Sequence, residues 1–256
     1  MEAKVRVAAA KAKNRPTGVD YITGIFDEFT ELHGDRRFSD DPAIIAGIAR
    51  IGQHFVTVIA HEKGKSTKEK LARNFGSAHP EGYRKALRQM KQAEKFGRPI
   101  ITFIDTAGAF CGIGAEERGQ GQAIAENLME MMTLKTPTLA IFIGEGGSGG
   151  ALAIAVTNEV WMLENAIYSV ISPEGCASIL WKDAGRAAEA AECLKLTSDD
   201  LLALGVIERI IPEEGKDLQT TFSKLKAEIM EFIAAKQKLA ISEIVEERYQ
   251  KFRKIK

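Results

Sequence analysis

Two glycine-rich segments are the strongest candidates for chemistry in this sequence, one at residues 105–114 and one at residues 144–150. Each follows an apolar run typical of a buried strand and precedes a helical pattern. In α/β proteins, ligands bind where strand ends meet helix starts, and the N–H groups of a helix's first turn can stabilise a developing oxyanion. The pair therefore predicts an oxyanion site, although glycine loops also serve as tight turns.

The second segment also matches the G-x-S-x-G nucleophile elbow of α/β-hydrolases, with Ser148 as the serine. That fold places its catalytic histidine after the serine. In this chain all of the histidines come before it: His33, His54, His61 and His79. We therefore rank a serine hydrolase low and interpret Ser148 as a helix cap.

Two charged segments have both a functional and an ordinary interpretation. Residues 64–67 resemble the end of a Walker motif, but Ile59 stands where the first glycine is required, so no nucleoside triphosphate site is predicted. The lysine-rich residues 63–73 could contact the phosphates of coenzyme A or form a solvated surface loop. Glu116 and Glu117 could act as acid and base or could complement a helix dipole. Cys111 is given no catalytic role.

The elements that position these segments alternate between strands and helices, which predicts an α/β fold. Residues 43–51 and 54–61 predict a hairpin. A helix from residue 81 to Gly97, a strand at 99–105, a helix around 124–131 and a strand at 138–143 follow. Before the hairpin, a helix is predicted at residues 17–32, with Gly34 as its terminator. After the second glycine segment, the sequence predicts a helix at 151–156, a helix that begins at Pro173, and strands at 160–163, 168–171 and 206–211. Two amphipathic helices, around 222–233 and 241–252, complete a tail from about residue 213 that packs on the sheet or on a partner.

Composition narrows the class of protein. The 256 residues are 45% hydrophobic and 27% charged, as in a soluble globular protein, and we expect one domain over residues 1–256. The N-terminus lacks a secretory signal, so we expect a cytoplasmic protein that does not enter a membrane. Three cysteines without CxxC spacing argue against disulfides and against a zinc site in this chain. Zero net charge argues against nucleic-acid binding.

Several segments, in the same order along the chain, resemble the alpha chains of bacterial acetyl-CoA carboxylase carboxyltransferases. The segments are 26–29, 67–70, 73–76, 80–88, 100–106, 114–120, 144–154 and 168–181. The sequence departs from that family at Ala107, Phe110 and Cys111, where proline, tyrosine and proline are common. The resemblance implies a crotonase-like ββα spiral with C-terminal helices.

The resemblance also implies transfer of a carboxyl group from carboxybiotin, borne on a carrier protein, to acetyl-CoA, which yields malonyl-CoA for fatty acid synthesis. It implies that backbone N–H groups of Gly149 and Gly150, with Gly147, form an oxyanion hole that faces biotin. Gly108, Ala109, Gly112 and Gly114 are expected to bind substrate. The implied partners are a zinc-bearing beta subunit in an alpha2beta2 heterotetramer, the biotin carboxyl carrier protein and biotin carboxylase.

Two other hypotheses remain open from the sequence. One is a stand-alone crotonase-type acyl-CoA hydratase or isomerase that uses Glu116 or Glu117, and the other is a scaffold or nucleic-acid-binding protein that uses residues 63–73. A hydratase acts alone on an enoyl-CoA, whereas the transferase requires a second chain and biotin.

Overall fold

The centre of the molecule is an eight-stranded sheet in the computed structural model, which describes residues 2–213 and 218–255. In chain order the strands are β1 (Glu28–Glu31), β2 (Ile44–Ile51), β3 (His54–His61), β4 (Ile100–Thr106), β5 (Thr138–Gly147), β6 (Glu159–Leu163), β7 (Ile167–Ser169) and β8 (Arg209–Ile211). Their order across the sheet is β1-β2-β3-β4-β5-β6-β8, and β7 pairs with the end of β5.

Helices cover the sheet and its edges. They are α1 (Ala3–Ala10), α2 (Gly18–Ile25), α3 (Thr67–Ala72), α4 (Pro80–Lys95), α5 (Ile113–Glu117), α6 (Gln120–Thr133), α7 (Ser148–Leu152), α8 (Pro173–Trp181), α9 (Ala187–Leu194), α10 (Ser198–Ala203), α11 (Leu218–Lys236) and α12 (Ile241–Lys254). In the described part of the chain, no helix combines the length and the apolar character that crossing a bilayer requires.

The hairpin prediction is confirmed by antiparallel pairing of β2 with β3 along their whole length. The strands β4 and β6 and the helices α4, α6, α8, α11 and α12 also lie where the sequence predicts them. β5 runs to Gly147, beyond the predicted end at residue 143, and α7 begins three residues before the predicted helix at 151. The pairing of Glu145–Gly147 with β7 explains the longer strand, since that neighbour is not visible in local sequence.

The predicted helix at residues 17–32 is wrong in its second half, because α2 ends at Ile25 and β1 follows. β1 pairs antiparallel with β2, with Phe29 opposite Ala49. An edge strand is stabilised by backbone pairing with a distant segment, which the local sequence does not reveal. Phe29 fits both a helical and a strand pattern. The short helices α1, α9 and α10 were not predicted, and α3 lies inside the predicted lysine-rich loop. The strand predicted at 206–211 is shorter, at Arg209–Ile211.

The parallel strands β3, β4, β5 and β6 position the glycine segments. All seven residues of β4 are buried, as expected for a strand covered on both faces. Because neighbouring parallel strands end at the same edge of a sheet, the segments after β4 and β5 emerge side by side. The register shifts between Ile104 and Thr106, where β5 carries extra residues. This irregularity lies at the point where both loops begin.

The tail helices pack on the body of the same chain. Phe222 of α11 meets Tyr21 edge to face at 5.2 Å between ring centroids, and Phe232 meets Trp161 at 6.0 Å. The predicted start of the tail near residue 213 adjoins residues 214–217, which lie outside the described residues. The apolar face of α11 is therefore covered within the chain. In α12, Ile244 is buried, whereas Ile241 and Tyr249 are exposed.

Arg248 of α12 anchors the end of the tail in the core. Its side chain is fully buried and donates hydrogen bonds to the carbonyl oxygens of Met131, Leu134 and Thr136 and to Oδ1 of Asn158, at 2.7–3.0 Å. Burial lowers the pKa of its guanidinium to about 10, so the group keeps its charge at neutral pH. One side chain thus satisfies four acceptors: one in the last turn of α6, two in the segment between α6 and β5, and one just before β6.

We expect Arg248→Met to lower the free energy of unfolding by about 3 kcal/mol or more, because buried acceptors lose their donors. Chemical denaturation of the variant and of the unsubstituted protein measures the difference. Arg253→Met, on the exposed side of the same helix, is the matched control and should change stability by less than about 0.5 kcal/mol. Equal stability of both variants would contradict this role of Arg248.

Candidate functional site

The two glycine segments meet through their backbones at the carboxyl ends of β4 and β5. A Cβ atom on Gly147 would lie 2.0 Å from the carbonyl oxygen of Ala107, and one on Gly150 would lie 2.4 Å from the amide nitrogen of Ala109. Real Cβ atoms do not approach other atoms so closely. The two positions therefore require glycine, because the loops pack with no space for a side chain between them.

The structure brings together most of the residues that the sequence analysis singled out. Gly108 and Ala109 of the first loop lie against Gly147 and Gly150 of the second. Gly149 stands beside them with ordinary space, since its nearest contact would be a methyl carbon of Ile124 at 3.6 Å.

Gly112 and Gly114 lie farther along the first segment. Their closest neighbours are Phe110 and Arg118 respectively, and not the second loop. Gly112 precedes α5 and Gly114 lies inside it. The ring of Phe110 packs on that of His79, with 4.0 Å between centroids.

Ser148 is not the helix cap that the sequence predicts. Gly147 occupies the cap position of α7, and Ser148 is the first helical residue. Its φ of 49° lies in the left-handed region, which costs a residue other than glycine about 1–3 kcal/mol. The sharp bend arises because β5 must turn into α7 within one residue. The strained residue faces solvent between Gly147 and Gly149.

Two cavities open beside Ser148. The larger, of about 430 Å³, is lined mainly by apolar side chains, among them Leu152, Tyr168, Val206 and Phe252. The smaller, of about 110 Å³, lies against Ala107 and Gly147. No histidine of the described chain lines either cavity. Neither cavity therefore offers a histidine to Ser148; Lys11 and Glu145 line the smaller one, and Glu145 is paired with Lys63. The larger cavity offers an apolar recess next to Gly149.

His61, Glu116 and Glu117 are poorly placed for acid–base chemistry at these cavities. His61 is fully buried next to the backbone of Gly150; burial, with the charge of Lys63 acting in the same direction, lowers its pKa to about 3. It is therefore neutral at pH 7. Glu116 and Glu117 are exposed on α5 and line neither cavity.

Sequence analysis missed a network of three charges beneath the loops. The Nζ atom of Lys63 lies 2.7 Å from Oδ1 of Asp105 and 2.6 Å from Oε2 of Glu145. Lys63 is thus an inward-facing residue and not part of a solvated loop. The sequence pattern does contain an indication of this network. All three residues stand at the ends of apolar strand patterns, and parallel pairing brings such ends to one edge of the sheet.

Comparison with known protein families gives a match over the whole chain. The family model described as "acetyl co-enzyme A carboxylase carboxyltransferase-like" matches residues 1–256. The acetyl-coenzyme A carboxylase carboxyl transferase subunit alpha of Ruminiclostridium cellulolyticum is 62% identical over 255 residues, which cover 100% of this chain and 98% of the relative. The protein of the same name from Streptococcus equi subsp. zooepidemicus is 59% identical over 245 residues, 96% of each chain.

Solved structures with this fold are carboxyltransferases and related enzymes. Transcarboxylase 12S, solved with methylmalonyl-coenzyme A and methylmalonic acid bound, matches with a TM-score of 0.73 at 18% identity over 92% of this chain. The beta subunit of Pseudomonas aeruginosa geranyl-CoA carboxylase matches with 0.68 at 16% identity over 91%. The chain spans 45% of each of those two chains. These likenesses confirm the crotonase-like α/β fold.

The contacts of Gly149 and Gly150 predict unequal effects of alanine on stability. Gly150→Ala should lower the free energy of unfolding by about 2–3 kcal/mol, because the first loop must move to admit the methyl group. Gly149→Ala should unfold within about 1 kcal/mol of the unsubstituted protein, since the methyl group has space and alanine favours a helix. Denaturant unfolding of both variants tests this, and equal losses would contradict the close loop packing.

Proposed function

The chain belongs to the family of acetyl-coenzyme A carboxylase carboxyltransferase alpha subunits, and on that premise we propose that its two glycine loops form the oxyanion site of the reaction. The reaction is carboxyl transfer to acetyl-CoA, which gives malonyl-CoA for fatty acid biosynthesis. Family and fold support this transferase and not the stand-alone hydratase. The observation that carries the site assignment is the backbone contact between Gly150 and Ala109.

The proposed catalytic groups are the backbone N–H groups of Gly149 and Gly150, with Gly147 shaping the turn. N–H groups in the first turn of a helix have no acceptor within it. Among the described residues, neither group donates to an acceptor elsewhere in the chain. Fixed donors of this kind stabilise negative charge as it develops on a carbonyl oxygen, and their effect is largest where water is excluded. Both groups are held by loops that cannot separate without breaking the packing.

Carboxybiotin on the carrier protein would supply the carboxyl group, and biotin would take up the proton that acetyl-CoA loses. The residues fit this group, because the apolar recess of about 430 Å³ begins at Gly149 and ends among Leu152, Tyr168 and Phe252. The recess accepts an apolar ring system, while the glycine N–H groups lie at its edge. Since biotin accepts the proton, no side-chain base is needed, which agrees with a neutral, enclosed His61.

We propose that a second subunit completes the site. The chain covers less than half of the transcarboxylase and geranyl-CoA carboxylase chains, which supports a second unit of similar size as the remainder of the site. A malonate decarboxylase of Pseudomonas, of which the chain covers 86%, is a hetero-tetramer solved with coenzyme A. Ile113 and Val170 beside the loops are 80% and 75% exposed, and a partner would cover them.

In this proposal the partner is the beta subunit, zinc-bearing, in an alpha2beta2 heterotetramer. It would hold most of acetyl-CoA at the interface, where Gly108 and Ala109 contact the thioester and Gly112 and Gly114 lie farther along the same segment. The biotin carboxyl carrier protein and biotin carboxylase complete the enzyme. The cytoplasmic location and the absence of a metal from this chain stay predictions.

Two substitutions in one turn separate transferase from hydrolase. Gly149→Pro removes a backbone N–H at the second helical position, where proline suits a helix, and should lower kcat about a hundred- to a thousandfold. Ser148→Ala should retain much of the rate. Malonyl-CoA formation is measured with both variants in complex with the partner, after equal melting and partner binding are shown. An inactive alanine variant beside an active proline variant would return Ser148 to the role of nucleophile.

The chain by itself should have no carboxyltransferase activity. The proposed reaction develops negative charge on two carbonyl oxygens, one of biotin and one of the thioester, and one crotonase-like unit supplies an oxyanion site for only one of them. The measurement is release of acetyl-CoA from malonyl-CoA in the presence of a free biotin derivative. The same chain mixed with its partner subunit is the positive control. Turnover by the pure chain, shown by mass spectrometry to be free of a partner, would refute this prediction.

A further inference from the structure

Three charged side chains meet at the ends of three neighbouring parallel strands. Lys63 follows β3 by two residues, Asp105 is the penultimate residue of β4, and Glu145 lies near the end of β5. The Lys63 ammonium contacts both carboxylates, at 2.7 and 2.6 Å. Only 18%, 7% and 16% of the respective side chains are exposed. One cation thus joins the two strands from which the glycine loops arise.

The Asp105 carboxylate is linked to loop backbone as well as to the lysine. Oδ1 of Asp105 accepts a hydrogen bond of 2.9 Å from the backbone N–H of Glu145. This contact needs glycine at position 144, where a Cβ atom would lie 2.4 Å from the same oxygen. Asp105 stands two residues before Ala107, and Glu145 two residues before Gly147, the pair of residues in closest contact between the loops. A shift of either carboxylate therefore moves the backbone of the site.

Neighbouring groups position the Lys63 side chain and keep its ammonium charged. Burial by itself lowers the pKa of its ammonium, but the two carboxylates outweigh burial, and the pKa lies above its ordinary value. The turn Asn74–Gly76, in which all three residues have positive φ, packs over its aliphatic stem. A Cβ atom on Gly76 would lie 2.8 Å from Cγ of Lys63. A strained turn persists where its surroundings determine it.

We propose that Lys63 is a positioning residue for the carboxyl transfer, which fixes the spacing of the two glycine loops by bridging Asp105 and Glu145. This inference rests on the proposed role of the loops. The Lys63 ammonium directs two of its three donors at these carboxylates, so its charge is balanced within the chain. Loops that slide apart would misplace the N–H groups that meet the developing oxyanion. The loss should therefore appear in kcat and not in substrate binding.

The test compares variants in the complex with the partner subunit, by steady-state carboxyl transfer and thermal unfolding. Lys63→Met should lower kcat about tenfold to a hundredfold, as expected for a small misplacement of catalytic groups, with KM for acetyl-CoA within about twofold. Lys63→Arg, which keeps a cation, should recover part of the rate. Lys91→Met, which removes an exposed ion pair with Glu130, is the matched control and should be unchanged.

The double variant Lys63→Met/Glu145→Gln separates positioning from charge balance. It has the same net charge as the unsubstituted network, one negative charge, but no bridge. We expect its melting temperature to approach that of the unsubstituted protein while kcat stays low. If Lys63→Met alone fails to fold, the double variant still tests the proposal. Glu145→Gln is a further single variant, and its kcat should fall several-fold.

Two results would overturn the inference: an unchanged kcat in folded Lys63→Met complex, or full recovery of kcat in the double variant. Failure of the proposed function looks different. In that case the unsubstituted complex forms no malonyl-CoA, or Gly149→Pro retains its rate in the same assay. An active unsubstituted complex with an inactive Gly149→Pro variant and a fully active Lys63→Met variant would remove only the role of Lys63.

Discussion

The site depends on one constraint, the contact between the backbones of two loops that leaves no space for side chains. Gly147 against Ala107 and Gly150 against Ala109 bring the loops closer than any residue with a Cβ atom allows. The parallel order of β4 and β5 makes the contact possible, because it delivers both loops to one edge. The strained Ser148 is a consequence, since the chain must turn sharply from strand to helix to keep the contact.

This contact fixes the positions of backbone N–H groups but contributes no reactive side chain. A reaction that develops negative charge on carbonyl oxygens needs fixed N–H donors, and these cost no reorganisation when they are already held by the fold. A neutral His61 enclosed beside Gly150 and exposed Glu116 on α5 agree with a site that works through its backbone. In the proposed function, proton transfer then falls to the cofactor and the partner chain.

Buried charges hold this region together. Lys63 joins the strand ends below the loops, and Arg248 ties the last helix to the end of α6 and to the segment between α6 and β5. Each buried cation meets several acceptors, two carboxylates around Lys63 and four oxygen atoms around Arg248, and such contacts allow a charge to be tolerated in a protein interior. The same chain therefore uses ionic contacts at the site and carbonyl contacts at the tail for one purpose, which is to fix segments that are distant in sequence.

The sequence by itself determined the α/β class, the hairpin, the buried strand β4, the long helices and the two glycine loops, because periodicity and turn chemistry are local. It could not determine that β1 pairs with β2, that β5 extends to Gly147, or that Gly147 and not Ser148 caps α7. Nor could it show that Lys63 turns inward to Asp105 and Glu145. Those features depend on which strands become neighbours, and only the folded chain brings residues so far apart in sequence into contact.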